Sequence, residues 1–205
     1  EDLDALPFPD YTFADDYWVD ASPGAEQALP LTPSLYREVQ KKYPDLQGNV
    51  DLVPYKTVTT RGCPFFCSYC AMGTLSKAES PFRKRSVNNV MLELEEVVKQ
   101  HGDMFDVVSL ADDTFMSHSK IWIGEFAEQF KKRIDRPFRV IGFPESVTAE
   151  KIENLCSAGA MHFGMGVESL SEKTLKLYDR HTAPDRVVKS ANILVDAARR
   201  YQIIP

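Results

Sequence analysis

The sequence predicts an α/β protein in which short parallel strands alternate with amphipathic helices. Four apolar runs of strand length occur at residues 55–60, 105–111, 138–143 and 160–167, and a fifth, unfinished strand is predicted from residue 202. Segments with helical periodicity lie between them, and this alternation is typical of parallel βα units. Such units close into a barrel or spread into a doubly wound sheet, and both arrangements collect the chemistry at the carboxyl ends of the strands.

The helices are predicted from apolar residues that recur every three or four positions beside capping residues. The residues that carry these patterns are Ser86 with Val87, Val90, Met91, Leu94, Val97 and Val98; Trp122, Phe126 and Phe130; Thr148 with Ile152, Leu155 and Gly159; and Thr182 with Val187, Ala191, Leu194 and Ala198. The last group starts with a capping-box pattern at Thr182.

Two parts of the chain are expected to differ in role. Residues 1–50 are predicted to form a Pro-rich, acidic connecting arm, because they hold six of the 13 prolines and ten acidic but only three basic side chains. Proline at this density disfavours regular structure, although one short helix is expected at 34–42 and the arm's aromatic residues are expected to pack along the core. Residues 51–205 are predicted to form the core. Because the chain starts without a methionine and stops within an apolar run at 202–205, we expect a segment of a longer protein.

The composition argues against several classes of protein. The 205 residues are 43% hydrophobic and 26% charged, and no apolar run approaches the roughly 18 residues of a membrane span. A formal net charge of −6 gives no reason to expect a nucleic-acid partner. Four cysteines, three of them within eight positions, do not resemble a secreted disulfide framework. We therefore expect a protein of the reducing cytoplasm.

The most informative stretch reads Arg-Gly-Cys-Pro-Phe-Phe-Cys-Ser-Tyr-Cys and contains Cys63, Cys67 and Cys70. Thiolates at this spacing can wrap one corner of a small metal cluster, and soft sulfur ligands select iron-sulfur clusters, zinc or copper(I). A non-enzymatic module with structural zinc would need a fourth ligand, from a histidine or from Cys156. An electron-transfer cluster, or a cluster with one iron left open, are the other interpretations. The helical spacing of Cys156 favours a buried thiol.

Polar residues follow each predicted strand. The cysteine loop (residues 62–70) follows the first, and the segments 112–114, 144–145 and 168–169 follow the next three. Because the carboxyl ends of parallel strands meet at one edge, these residues are predicted to share a site. The alternative is that they cap helices and form turns.

The pattern Cys63-x3-Cys67-x2-Cys70, with Tyr69 before the last cysteine and a strand before the first, resembles the radical S-adenosylmethionine (radical SAM) enzymes. The resemblance implies a partial (βα) barrel with parallel strands, truncated after about four βα units. It further implies that the three cysteines ligate a 4Fe-4S cluster and that Tyr69 lies near the adenine of S-adenosylmethionine. In this family the reduced cluster cleaves S-adenosylmethionine to a 5′-deoxyadenosyl radical, which abstracts hydrogen from a small-molecule substrate.

Further phrases resemble the branch with an N-terminal cobalamin-binding domain. Asp112-Asp113-Thr114-Phe115 stands where the family often has Gly-Gly-Glu, Arg83 to Val87 precede a helix with Glu93, and the opening residues 3–11 are similar to the joining arm. The resemblance places Asp112, Asp113 and Thr114 near the methionine amino group and Glu168 and Ser169 near amino or ribose groups. It implies cobalamin held by a missing upstream domain, methyl transfer or a related reaction, and a flavodoxin- or ferredoxin-like electron donor.

The basic residues allow more than one interpretation. Arg83, Lys84 and Arg85 precede a helix N-terminus, where positive charge is unfavourable, so they predict either an anionic partner, such as a substrate or the electron donor, or a solvated turn. Arg180 and His181 are expected to be exposed in a loop between helices, and contact with the substrate is the alternative. The role of Glu145 is left open.

Overall fold

The computed structural model describes residues 2–10, 15–24, 26–42, 52–78 and 82–203. Its strands and helices follow in chain order: β1 (Tyr17–Asp20), β2 (Gln27–Pro30), α1 (Pro33–Lys42), β3 (Pro54–Thr57), β4 (Thr60–Arg61), α2 (Ala71–Ala78), β5 (Arg83–Lys84), α3 (Val87–His101), β6 (Val107–Leu110), α4 (Lys120–Arg133), β7 (Phe138–Gly142), α5 (Ala149–Ser157), β8 (Ala160–Met165), α6 (Glu172–Leu177) and α7 (Pro184–Tyr201). Short 3-10 turns occupy Leu3–Ala5, Phe115–Ser117 and Pro144–Ser146.

Four parallel strands form the central sheet in the order β3-β6-β7-β8. Each strand pairs with the strand that follows it in the sheet order, with Tyr55 opposite Val108 and Val140 opposite Phe163. All four residues of β6 are buried, which is expected for a central parallel strand covered on both faces. The α/β class and the partial-barrel arrangement of parallel βα units are confirmed.

The core lies between the sheet and helices α3, α4 and α5, with α7 against α5. Phe126 and Phe130 on α4 pack against Phe138 on β7, with ring centroids 5.7 and 4.6 Å away. All three rings are fully buried. The helical periodicity that predicted α3 to α5 therefore identified the faces that contact the sheet.

The helix caps follow the sequence signals in three cases and depart from them in one. The hydroxyls of Ser86 and Thr148 accept from the amides of Asn89 and Lys151, and Gly159 at φ 103° ends α5 in the left-handed region. The capping box predicted at Thr182 is wrong. The N-cap of α7 is Ala183, without a side-chain cap, and the Thr182 hydroxyl donates to Glu145.

Two segments differ from the predicted strands. The first strand ends at Thr57, and Thr60–Arg61 form a separate antiparallel pair with Arg83–Lys84. The run at 202–205 does not start a strand at its described residues, because Gln202 takes a left-handed conformation that ends α7. Ile204 and Pro205 lie outside the described residues.

The arm contains more regular structure than its prolines predict. The sequence did not predict the hairpin of β1 and β2, in which residues 17–20 pair with residues 27–30 despite the proline at the end of β2. The helix expected at 34–42 is confirmed by α1. The start of the arm contacts the core: the Asp4 carboxylate accepts from the Ser86 amide at 3.0 Å, and Phe8 lies under Arg85. The aromatic residues Tyr11 and Phe13 are outside the described residues.

Within the described ranges, no helix is both long and apolar enough to cross a bilayer.

Replacing Phe126 by alanine should lower the free energy of unfolding by about 3 to 5 kcal/mol, because the removed ring leaves a cavity between α4 and the sheet. The measurement is urea unfolding followed by circular dichroism. Ile121 lies on the same helix but is 83% exposed, so Ile121→Ala is the matched control and should change stability by less than about 0.5 kcal/mol. Equal losses in both variants would contradict the packing described.

Candidate active site

The cysteine loop and the ends of β6, β7 and β8 enclose a cavity of about 270 Å³. Its lining contains all three clustered cysteines, two carboxylates and one guanidinium. The lining residues are Cys63, Phe65, Cys67, Tyr69, Cys70, Met72, Asp113, Thr114, Ile141, Gly142, Phe143, Gly166, Glu168 and Arg180. The cavity therefore lies at the carboxyl edge of the sheet, where the strand-end residues predicted it.

The start of the cysteine loop is held by a buried carboxylate. Asp112 Oδ1 accepts from the amides of Thr59 and Thr60 at 2.8 and 2.5 Å and from the Thr60 hydroxyl at 2.6 Å, while Oδ2 accepts from the Thr59 hydroxyl at 3.0 Å. Burial raises the pKa of Asp112, although these four donors oppose the shift. Asp112 thus fixes the direction in which the chain leaves β3.

A buried histidine extends this network. His118 Nε2 lies 2.8 Å from the Thr59 hydroxyl, which already donates to Asp112, so Nε2 carries the proton and donates to Thr59. The His118 ring stacks on Trp122 with centroids 3.5 Å apart. Burial lowers the pKa of His118 to about 3, and Lys84 and Lys151 add to the effect, so the ring is neutral at physiological pH.

Two glycines let the backbone follow this path. Gly62 adopts φ 84° directly before Cys63, a conformation that other residues take at a cost. Gly73 on α2 lies so close to the loop that a Cβ there would stand 2.7 Å from the carbonyl oxygen of Cys67. The loop is therefore pressed against α2 as well as against the strand ends.

The far end of the cysteine loop is attached to the segment after β8. The Ser68 amide donates to the Tyr178 carbonyl at 2.9 Å, and the Ser68 hydroxyl donates to the Leu177 carbonyl at 3.0 Å. The rings of Tyr69 and Tyr178 lie 4.7 Å apart. These contacts hold the part of the loop that contains Cys67 and Cys70.

Arg180 is the main residue that sequence reasoning placed wrongly. It was expected to be exposed, but its side chain is 5% exposed and lies in the cavity wall. Nη1 donates to the Tyr69 hydroxyl at 3.0 Å, Nη2 donates to the Gly166 carbonyl, and the guanidinium lies 4.1 Å above the Phe143 ring. Its neighbour His181 is exposed, as expected. The signal that could have identified Arg180 was a basic residue in the segment that follows Glu168, the glutamate after the fourth parallel strand.

The predicted cofactor-binding residues divide into two groups. Tyr69, Asp113, Thr114 and Glu168 line the cavity. Asp112 and Ser169 do not: the first is used by the turn after β3, and the second accepts from the Ser171 amide at 3.0 Å. For these two residues the observed contacts match the alternative of turn formation.

A carboxylate and a phenol lie beside Arg180. Glu168 sits at φ 63°, with Oε1 3.9 Å from Arg180 Nη1. Partial burial raises the pKa of Tyr69 to about 12, outweighing the favourable charge of Arg180, so the phenol keeps its proton. The cavity mouth thus presents a carboxylate and a guanidinium side by side.

The three thiols are not arranged to bind a single metal ion, and they remain available to ligate a cluster. No group of three His, Cys, Asp or Glu in the described part of the chain is arranged to hold a single metal ion. Cys156 lies on α5 within the hydrophobic core, where burial raises its pKa to about 11, and it belongs to no such group among the described residues. Burial, chiefly, raises the pKa of Cys63, and the charge of Asp113 adds to this. Binding a cation would remove that proton.

The residues present fit a cluster that carries a further, charged ligand. Soft thiolates suit iron-sulfur clusters, and three of them leave one coordination corner for another molecule. Nε of Arg180 is buried and makes no hydrogen bond within the described residues, so it can donate to an acceptor in the cavity. An anionic group bound beside the thiols would satisfy it.

Glu145 and Arg85 have structural contacts. Glu145 Oε2 accepts from the Thr182 hydroxyl at 2.8 Å, which ties the end of β7 to the start of α7. Arg85 is paired with the buried Glu93, which also accepts from Tyr55, so its charge is compensated within the core. Arg85 is therefore removed from the set that was expected to face an anion.

A parallel βα sheet with a three-cysteine loop at its carboxyl edge defines the class to which this protein belongs. The sequence pattern of the radical SAM superfamily matches residues 57–204, and the chain belongs to that superfamily.

Individual relatives agree with this. Over 142 residues the chain is 32% identical to the anaerobic magnesium-protoporphyrin IX monomethyl ester cyclase of Rubrivivax gelatinosus, covering 66% of this chain and 24% of the cyclase. It is 27% identical over 146 residues to the ribosomal protein uS12 methylthiotransferase RimO of Clostridioides difficile, covering 65% and 31% of the two chains. The chain therefore spans about a quarter to a third of the length of these curated relatives.

Solved structures show the same fold. The cobalamin-dependent S-adenosylmethionine radical enzyme OxsB superposes with a TM-score of 0.61 at 21% identity, covering 89% of this chain and 28% of OxsB. The radical S-adenosylmethionine methyltransferase TsrM from Kitasatospora setae gives 0.62 at 15% identity, covering 88% and 32%. The likeness extends over the four βα units.

The neutral, buried His118 should make stability depend on pH. Its folded pKa, about 3, lies below the 6.5 of a free histidine, so below pH 6.5 the unfolded chain binds a proton that the folded chain refuses. His118 therefore subtracts about 1.4 kcal/mol from the unfolding free energy for each pH unit below 6.5. Urea unfolding at pH 7.5 and pH 5 measures this.

The matched control for this dependence is His118→Gln, which removes the titrating group. The difference in unfolding free energy between pH 7.5 and pH 5 should be smaller in the variant by about 2 kcal/mol. An unchanged pH difference would show that His118 has the same pKa in the folded and the unfolded chain.

Asp112 and Asp113 should behave oppositely although they are adjacent. Asp112→Ala leaves two buried amides without acceptors and should lower the unfolding free energy by about 3 kcal/mol or more. Asp113 is exposed at the cavity mouth, so Asp113→Ala should stay within about 0.5 kcal/mol of the parent. Chemical unfolding of the two variants in parallel decides this, and similar losses would contradict the assignment of Asp112 to the turn.

Proposed function

We propose that this chain forms part of the active site of an enzyme that cleaves S-adenosylmethionine reductively. In this proposal Cys63, Cys67 and Cys70 hold a 4Fe-4S cluster, and S-adenosylmethionine occupies the cavity beside it. The observation that carries the proposal is the combination of three thiols without a fourth ligand and a buried guanidinium nitrogen, Arg180 Nε, that lacks an acceptor within the described residues.

When bound, the cluster would supply the electron that breaks the carbon-sulfur bond of the sulfonium and leaves a 5′-deoxyadenosyl radical, which abstracts hydrogen from substrate. The protein's part is to bind and orient. Cys63, Cys67 and Cys70 are fixed from both ends, by Asp112 through Thr59 and Thr60 and by the bonds of Ser68. A fixed ligand set limits the rearrangement that accompanies a change of charge.

The charged residues of the cavity suit a zwitterionic amino acid. The methionine part of S-adenosylmethionine carries a carboxylate and an ammonium on one carbon. Arg180 would donate to the carboxylate, and Glu168, next to it at 3.9 Å, would accept from the ammonium. Asp113 lines the same mouth and would add a second negative charge for the ammonium or the sulfonium.

The apolar residues of the cavity would exclude water from the radical. Phe65 stacks on Phe143 with centroids 4.0 Å apart, and Ile141 lies beside them. Tyr69 stays a neutral phenol and lines the same cavity, where its ring would lie against the adenine. A dry wall protects a carbon radical from side reactions.

For the overall reaction we propose a cobalamin-dependent transformation of a small-molecule substrate, of which methyl transfer is one form and ring formation another. The support is the likeness to OxsB and TsrM, together with the Asp112 to Phe115 phrase and the arm that contacts the N-terminus of α3. Cobalamin would be bound by another domain of the full-length protein.

The full-length protein, reconstituted anaerobically with iron and sulfide, should bind about four of each at this site and form 5′-deoxyadenosine from S-adenosylmethionine upon reduction. Replacing any one of Cys63, Cys67 and Cys70 by alanine should abolish both cluster binding and 5′-deoxyadenosine formation, because the two remaining thiolates do not hold the cluster. Metal and sulfide analysis, electron paramagnetic resonance and mass spectrometry of the nucleoside are the measurements.

Cys156→Ser is the matched control, since this thiol lies in the core, and its cluster content should equal that of the parent. Uptake of one zinc and no iron would overturn the proposal. The cobalamin part of the proposal is tested on protein from cells grown with cobalamin, which should show the absorption spectrum of bound cobalamin. A cluster and nucleoside formation without bound cobalamin would refute that part alone.

A further inference from the structure

A second cavity, of about 160 Å³, adjoins the cavity described above. It is enclosed by the loops that follow β3, β7 and β8, which contribute residues 64–67, Phe143 with Glu145, and residues 179–181. Phe65, Cys67, Phe143 and Arg180 line both cavities, so these residues form the wall between them. Loops at the carboxyl ends of parallel strands are where folds of this class bind their ligands.

The carboxylate of Glu145 is the charged group of the second cavity that the proposed function leaves unused. It is half-buried, and its Oε2 accepts from the Thr182 hydroxyl at 2.8 Å. Among the described residues, no hydrogen bond reaches Oε1 and no cation forms an ion pair with this carboxylate. Glu145 therefore keeps one oxygen and its full charge available to a ligand.

The turn that carries Glu145 is fixed by side chains of α7. The Arg186 guanidinium donates to the Glu145 carbonyl at 3.1 Å and to the Val147 carbonyl at 2.7 Å. The fully buried Ser190 donates its hydroxyl to the Pro144 carbonyl at 2.7 Å. Supporting hydrogen bonds of this kind are what a preorganised binding group requires, because they hold it in place before the ligand arrives.

The balance of charge in the second cavity favours a cation. Glu145 and the exposed Asp179 bring two carboxylates, whereas Arg180 brings one guanidinium that also lies 3.9 Å from Glu168 in the first cavity. His181 lies 3.2 Å from Asp179 and compensates that carboxylate when it is protonated, but it forms no ion pair with Glu145. A bound anion would meet like charge at Glu145, and a bound cation would meet opposite charge.

The remaining walls of the second cavity are apolar. Phe65 stacks on Phe143 with centroids 4.0 Å apart, and Phe66 is 44% exposed at the opening. Pro64 completes this side. Binding sites for small molecules are mostly apolar and contain a few placed polar groups, and aromatic rings beside a carboxylate suit an ammonium group attached to an apolar body.

We propose that the second cavity binds the substrate of this enzyme through an ammonium group that Glu145 accepts, and that the substrate is therefore an amine with an apolar body. This inference rests on the proposed function. Because the Phe65–Phe143 pair lies between the two cavities, the ammonium would be an anchor remote from the carbon that loses hydrogen. Binding at a remote group orients the reacting part of a substrate.

The test uses two probes with the same apolar body, phenethylammonium and the neutral phenethyl alcohol, in calorimetric titrations of the reconstituted full-length protein. Saturating S-adenosylmethionine is present, so that the first cavity is occupied. The parent should bind the ammonium at least about tenfold more tightly than the alcohol. Glu145→Gln keeps an oxygen that can accept from Thr182 but removes the charge. It should bind the ammonium at least about tenfold more weakly than the parent and the alcohol within about twofold.

Glu128→Gln is the matched control, since it makes the same change on the exposed face of α4. Its affinities for both probes should lie within about twofold of those of the parent. Phe66→Ala, which removes an apolar wall and no charge, should weaken the binding of both probes by a similar factor.

Equal affinity for the ammonium in the parent and in Glu145→Gln would overturn the inference, as would a parent that does not prefer the ammonium to the alcohol. A parent that forms 5′-deoxyadenosine and shows no such preference would refute this inference alone. A parent that prefers the ammonium but forms no 5′-deoxyadenosine would refute the proposed function, and with it the assignment of the second cavity to a substrate.

Discussion

The carboxylate of Asp112 accepts four hydrogen bonds from two consecutive residues, Thr59 and Thr60, at the point where β3 ends and the cysteine loop begins. This contact joins the ends of two neighbouring strands, so the direction of the loop is set by the sheet itself. His118 donates to the same Thr59 hydroxyl and is held by Trp122, which connects the loop to the aromatic core of α4. The position of the thiols therefore depends on the buried aromatic residues of α4.

The cavity carries charges of both signs, with two carboxylates and one guanidinium. Asp113 and Glu168 bring negative charge to the mouth, and the buried Arg180 brings positive charge between Tyr69, Phe143 and the Gly166 carbonyl. Burial of a guanidinium costs hydration free energy, and the cation–π contact with Phe143 offsets part of that cost. Its remaining donor, Nε, makes no hydrogen bond within the described residues, and a bound anion would accept one from it.

The parts of the fold that were predicted depend on local signals. Ser86 and Thr148 cap helices through amides three residues ahead, and the spacing of Cys63, Cys67 and Cys70 lies within a single loop. The parts that were missed depend on contacts across the chain. Nothing near Thr60 indicates that Arg83 and Lys84 will pair with it, and proline counts could not reveal the pairing of β1 with β2.

The same reason explains the errors within the site. Asp112 was correctly placed at a strand end, but its role depends on where the Thr59 and Thr60 amides point, and spacing does not show this. Arg180 looked like an exposed loop residue, and only the approach of Tyr69 and Gly166 buries it.

The bonds from Ser68 to Leu177 and Tyr178 join residues more than a hundred positions apart. On the ribosome, the cysteines emerge long before the segment after β8 that holds the far end of their loop. Until that segment has been synthesised and folded, the loop keeps its contacts with Asp112 and α2 but lacks the bonds of Ser68, and the thiols are more open to oxidation. Stable insertion of a cluster therefore becomes a late event in the maturation of the nascent chain, and it follows the folding of the fourth βα unit.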